Sequence, residues 1–156
     1  MTFEELMQQF AAKLGVTDLV VQDDTAALEI DGVPLGFIKD GATDSLIIVA
    51  DLGQQPGSAD RPLGSMMLKA NFLFEALQGA VLFQNPENEA FGIQQRFRIV
   101  DLDVDGLYAQ VERLSNLAEE WREIVAGYGQ AEQTAREQAA KQPQEAPLSG
   151  QSFMRV

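Results

Sequence analysis

Cysteine and histidine are both absent from this chain. Without cysteine there is no disulfide framework, no zinc–thiolate site and no thiol nucleophile. Without histidine the chain lacks the commonest general base and the commonest metal ligand. Catalysis would have to rest on carboxylates or lysine, and the paired acids Asp23-Asp24 and Glu119-Glu120 read as solvated faces. No P-loop, dinucleotide fingerprint or nucleophile elbow occurs. The sequence points away from an enzyme and calls for no cofactor.

Basic residues are scarce: 11 Lys and Arg stand against 24 acids, a formal charge of −13. The three acids and three bases of residues 129–156 cancel, so the remainder carries the whole excess. Such a surface repels nucleic-acid phosphates and anionic lipid and favours a basic or polar protein segment as partner. Long apolar runs are missing too, and none approaches the ~18 residues of a membrane span. The first residues, Met-Thr-Phe-Glu-Glu, place acids where a signal peptide needs bases. The expectation is a cytoplasmic protein with no membrane insertion.

What remains is a chain of 156 residues, 46% hydrophobic, enough for one domain with a single core. Thr2 and Glu5 form a capping box. Phe3, Leu6, Met7, Phe10 and Leu14 then follow helical spacing up to Gly15. Leu28 and Ile30 alternate before Asp31-Gly32, a type I′ hairpin signal, and Val33, Leu35 and Phe37 share one face of the next strand. Pro34 cannot donate to a ladder, which predicts an open edge for that strand. Asp40-Gly41 marks a further turn, and Ser45 to Leu52 suits a central strand. These segments make a three-strand antiparallel meander.

Residues 53–62 read as a loop. A second helix is predicted over Leu63 to Leu77, apolar on two sides. One side can face the sheet. The other, Leu68, Phe72 and Ala76 at steps of four, can face a partner subunit. Ala80 to Gln84 is a short strand, Asn85 to Asn88 a turn, and Phe91 to Ile99 a long alternating strand. The last helix is predicted over 104–128, from Leu107, Val111, Leu114, Ala118, Trp121, Val125 and Tyr128. The fold class is α+β: helix, three-strand meander, helix, two strands, helix, with residues 1–128 as the domain. Residues 129–156 read as a polar, mobile tail. Its stretch before Gln142 could extend as a weak helix, which Pro143 and Pro147 end, and its Phe153 and Met154 are apolar.

One local pattern suggests metal chemistry. Asp101, Asp103, Asp105, Gly106 and Glu112 match the D-x-D-x-D-G-x5-E calcium loop. The preceding segment alternates like a strand where that loop needs a helix, loop position nine is Ala109, and no second hand is present. The reading preferred here is that the acids cap and charge the start of the last helix; a calcium-binding protein is the alternative.

The stretch from Met66 to Val125 resembles the Tir-chaperone family, the class I type III secretion chaperones. Asn71, Gly79, the run Gln95 to Leu102, Asp103, Leu107, Leu114 and Trp121 sit where that pattern wants them. The opening helix and the Ile-Asp-Gly-Val hairpin fit as well, so the resemblance covers about residues 1–128. It implies a homodimer in the cytoplasm of a Gram-negative bacterium, without cofactor or turnover, that binds the N-terminal segment of a secreted effector and keeps it extended. That work needs apolar grooves and an open strand edge. The candidates are Phe3, Leu6 and Phe10 on the first helix and Val33, Leu35 and Phe37 on the Pro34 strand, with Leu68, Phe72 and Ala76 as the dimer interface.

Overall fold

The computed structural model describes residues 1–17, 19–54 and 60–141. Helix α1 (Phe3–Leu14) begins on the expected capping box. The Thr2 hydroxyl accepts the Glu5 N–H at 3.2 Å, and the Glu5 carboxylate accepts the Thr2 N–H at 2.8 Å. That backbone hydrogen bond holds the Glu5 carboxyl below the usual carboxylate range. Gly15 ends the helix at φ 72, the left-handed cap that glycine adopts without strain.

Six antiparallel strands form one sheet: β1 (Val21–Gln22), β2 (Thr25–Ile30), β3 (Val33–Asp40), β4 (Ser45–Gly53), β5 (Val81–Gln84) and β6 (Phe91–Arg98). Their spatial order is β1-β2-β3-β4-β6-β5. The predicted meander is β2-β3-β4, and the hairpin between β2 and β3 turns at Asp31 and Gly32, both at positive φ as a type I′ turn requires. The two-residue strand β1 was not expected. It closes on β2 through Asp23 and Asp24, both also at positive φ. At the β3–β4 turn the Asp40 carboxylate accepts the Thr43 hydroxyl at 2.8 Å and the Ala42 N–H at 3.0 Å.

The open edge predicted at Pro34 is corrected by the sheet order: β3 lies between β2 and β4. Ile30 and Val33 close a two-residue hairpin, so alternation turns the Pro34 nitrogen toward β4. The β3–β4 register begins one residue later, at Leu35 opposite Ala50. The missing N–H therefore falls where the ladder stops.

The second helix also differs. Helix α2 spans Asp60–Ala70, not Leu63 to Leu77; it is followed by a 3-10 turn at Phe72–Phe74, with Leu73 at φ 58 and Phe74 at φ 57. Left-handed backbone at bulky residues costs roughly 1–2 kcal/mol each. Helix α3 (Val104–Lys141) begins where predicted and runs past residue 128. Residues 129–141 of the expected tail are thus helical; residues 142–156, with Phe153 and Met154, lie outside the described residues, as do 55–59 of the expected loop.

One face of the sheet is covered by helices. Helix α3 lies over β4, β6 and β3 and beside α1. Leu107, Val111, Leu114, Ala118 and Val125 of α3, with Trp121, enter one core with Leu46, Ile48 and Ala50 of β4 and Ile93 of β6. Lys13 at the end of α1 pairs with Asp105 at the start of α3, and Arg122 donates to the Gly32 carbonyl at 2.7 Å, so α3 is tied to both α1 and the β2–β3 turn. On the other face, Phe83 lies across Gly92, where any Cβ would sit 2.4 Å from the ring. Only glycine lets β5 seat its phenyl there.

Candidate functional site

The six residues expected to line a binding groove are core. Phe3, Leu6, Phe10, Val33, Leu35 and Phe37 are each no more than 3% exposed. Phe10 and Phe37 meet with ring centroids 5.8 Å apart. The physical reason is plain: the apolar stripe of α1 and the inward face of β3 are each other's cover. A contact surface on this side must use what lies around them.

A sheet of this kind has two edges, and the structure treats them differently. At β5 the Asn71 side chain occupies the edge. Its Nδ2 donates to the Leu82 carbonyl at 3.0 Å, and its Oδ1 accepts the Leu82 N–H at 2.9 Å. One amide side chain thus stands in for a paired strand at that residue. Asn71 itself still closes a helical turn, its N–H donating to the Met67 carbonyl at 2.9 Å, and the chain turns away only at Leu73 and Phe74, before it runs back to β5. Asn71→Leu should lower stability by about 1–3 kcal/mol, the cost of stranding two partly buried backbone groups. A urea midpoint equal to wild type would show that solvent replaces the amide freely.

At the opposite edge, β1 covers only Thr25 and Ala26 of β2. Beyond them the outward backbone groups of Ala27 and Glu29 face no strand among the described residues. Beside this edge the outer face of the sheet is dished, because Ala27 and Gly36 are small. Pro34, Ile38 and Val49, with the acids Glu29 and Asp51, complete the walls of a hollow of about 490 Å³. A second hollow, about 480 Å³, lies against the end of α1 and the segment leading to β1, with Ala11, Ala12, Val16 and Leu19 among its lining. An open backbone edge beside a hollow such as the first is the arrangement that takes an added strand and its alternate side chains.

The third feature is an apolar patch at the end of α2. Leu68 is 74% exposed, Phe72 73% and Leu73 70%, with Phe74 and Ala76 also exposed. The predicted trio is therefore accessible, although it spans a helix end and a 3-10 turn rather than one continuous helix. Two strained left-handed residues within the patch mark a locally determined surface. The step of four placed the trio; the break at Leu73 and Phe74 has no signal in that step, because neither residue type favours a left-handed backbone.

The acidic segment is divided among separate partners. Asp103 caps α3 by accepting the Gly106 N–H at 2.7 Å, Asp105 pairs with Lys13, and Asp101 lies 3.8 Å from Arg98. Glu112 is exposed, about two turns into α3. Among the described residues no group of three or more carboxylates converges on a common point. The chain should melt at the same temperature in millimolar calcium and in chelator, whereas a genuine site at 100 times its Kd would add about 2.7 kcal/mol. A calcium-dependent rise lost in Glu112→Gln would overturn this.

Comparison with known proteins adds an independent line. The sequence profile of the Tir chaperone protein (CesT) family matches residues 5–122. No curated protein matches. Among solved structures, the HopA1-SchA chaperone-effector complex contains a chain 23% identical, covering 78% of this chain and 93% of that one, with a TM-score of 0.64. The Yersinia pestis type III secretion chaperone SycH, in complex with a fragment of YscM2, contains one 18% identical, covering 77% and 99%, at 0.61. The ExoU-SpcU complex of the Pseudomonas aeruginosa type III secretion system contains one 19% identical, covering 75% and 95%, also at 0.61. At these identities the structural likeness establishes the fold.

Proposed function

We propose a specific task for this chain, which belongs to the Tir chaperone protein (CesT) family: it is a type III secretion chaperone that binds a segment of a secreted effector and holds it extended. The supporting structural observation is the unequal treatment of the two sheet edges. Asn71 blocks β5 at Leu82, while β2 leaves the outward groups of Ala27 and Glu29 open beside the hollow on the outer face of the sheet. A client strand added at β2 gains main-chain hydrogen bonds whatever its sequence, and its alternate side chains enter the hollow. Affinity partly independent of sequence suits a protein that must hold a non-globular segment. The solved chaperone-effector complex that contains a similar chain supports the same reading.

The task is binding, not turnover, and it is placed in the bacterial cytoplasm, where effectors wait before export. The acidic body keeps a loaded complex soluble. The working unit is a homodimer, with the Leu68, Phe72 and Ala76 patch as its contact; a monomer with that much exposed apolar surface at one place would be prone to associate. The test is calorimetry with N-terminal fragments of roughly 50–100 residues from secreted proteins, a length a disordered chain can wrap around a domain. Binding at micromolar concentration or tighter, with a negative heat-capacity change, is expected. Absence of binding to all such fragments would overturn the function.

A further inference from the structure

The long last helix creates a feature that neither the sheet edge nor the α2 patch explains. Past residue 122, where the family match ends, α3 continues to Lys141. Ile124, Gly127, Tyr128 and Ala131 of this extension, with Met66 of α2, line an apolar groove of about 450 Å³. Tyr128 spans it, its hydroxyl 3.6 Å from the Met66 sulfur. Ile124 is 36% exposed at its mouth. Nothing among the described residues covers it.

We propose that this groove is the docking site of the chain's own segment 142–156, anchored by Phe153 and Met154. The first reason is reach. From Lys141 back to Tyr128 is about 20 Å along the helix. The residues between Lys141 and Phe153 span about 20 Å as a flexible chain and about 40 Å when extended. Phe153 can therefore return to the groove. The second is sequence: Pro143 and Pro147 lack the N–H that a continuing helix needs, which favours a turn of the chain toward the groove over a straight continuation. The third is chemistry. The groove is apolar and made partly of a methionine and a tyrosine ring, suited to an aromatic and a thioether side chain. Arg155 follows the anchors, and Glu120 and Glu123 lie within a turn of Ile124. A tethered segment also acts at roughly millimolar effective concentration, which favours it over an untethered occupant of like chemistry.

The absence of native cysteine permits a clean test in the full-length chain. Ala131→Cys with Ser152→Cys places one thiol on the groove wall and one beside the anchors. Gln133→Cys with Ser152→Cys is the reference: position 133 lies at nearly the same height, about 200° around the helix, and is exposed. Under dilute oxidised glutathione the 131–152 pair should form an intrachain disulfide about tenfold faster than the 133–152 pair, since docking raises the local concentration on one face only. Phe153→Ser should abolish the difference. Equal rates for the two pairs, persistence of the difference without Phe153, or a 131–152 product of double mass, meaning that a second copy fills the groove, would each overturn the proposal. No effector enters the experiment, so its outcome is independent of client binding.

Discussion

Leu68→Asp combined with Phe72→Asp is expected to turn a dimer into a folded monomer. In the single chain both side chains are about three-quarters exposed and make no part of the core. Carboxylates there should leave the subunit's circular dichroism unchanged. In the proposed dimer these positions would be buried, and truncating large apolar interface anchors costs about 2 kcal/mol or more each. Loss of both anchors should weaken association by at least about a thousandfold, about 4 kcal/mol. Light scattering after size exclusion should give twice the chain mass for wild type and the chain mass for the variant. A monomeric wild type at high micromolar concentration, or a variant that remains dimeric, would remove the patch from the interface.

Phe37→Ala should produce the largest loss of stability. The side chain is fully buried and faces Phe10 across the α1–β3 contact. Removing a buried phenyl costs about 3–5 kcal/mol through lost transfer energy and the cavity left behind. That is a large share of the 5–15 kcal/mol typical of a whole domain. Melting should fall by roughly 10 °C or more. This result separates the two roles considered for Phe37: a groove residue, already wet in the free chain, would weaken client binding and leave the melting temperature nearly unchanged.

How these positions were misplaced shows what one-dimensional periodicity contains. The stripe Phe3, Leu6, Phe10 and the alternation Val33, Leu35, Phe37 predict apolar faces correctly, but a face does not say what covers it. Here the two faces cover each other. By contrast, the capping box of Thr2 and Glu5, the Gly15 stop and the Asp31-Gly32 turn were legible because their physics is local. Pro34 was read correctly as a residue without a donor and wrongly as an edge, since the end of a ladder satisfies the same condition.

The longer-range features were not legible. The side chain of Asn71 bonds to both backbone groups of Leu82, a pairing that no spacing rule contains. The pair Asp23-Asp24 lacks the glycine of the usual hairpin signal, yet both aspartates adopt positive φ and create β1. The predicted end at residue 128 falls between Gly127 and Gly129. Glycine weakens a helix by about 1 kcal/mol without breaking it, and the Gln, Ala, Glu and Arg residues that follow are good helix formers. Of the candidate surfaces, the exposed trio was readable from its period, whereas the open β2 edge required the strand order.

The central claim is that a secreted segment is held as a strand on β2. Amide hydrogen exchange on the complex with an effector N-terminal fragment tests it residue by residue. The account predicts that binding slows exchange at the Ala27 and Glu29 amides, which face no strand among the described residues, and leaves Leu82, already bonded to Asn71, unchanged. A bound complex in which Ala27 and Glu29 exchange as fast as before, or in which Leu82 is the amide newly protected, would contradict it.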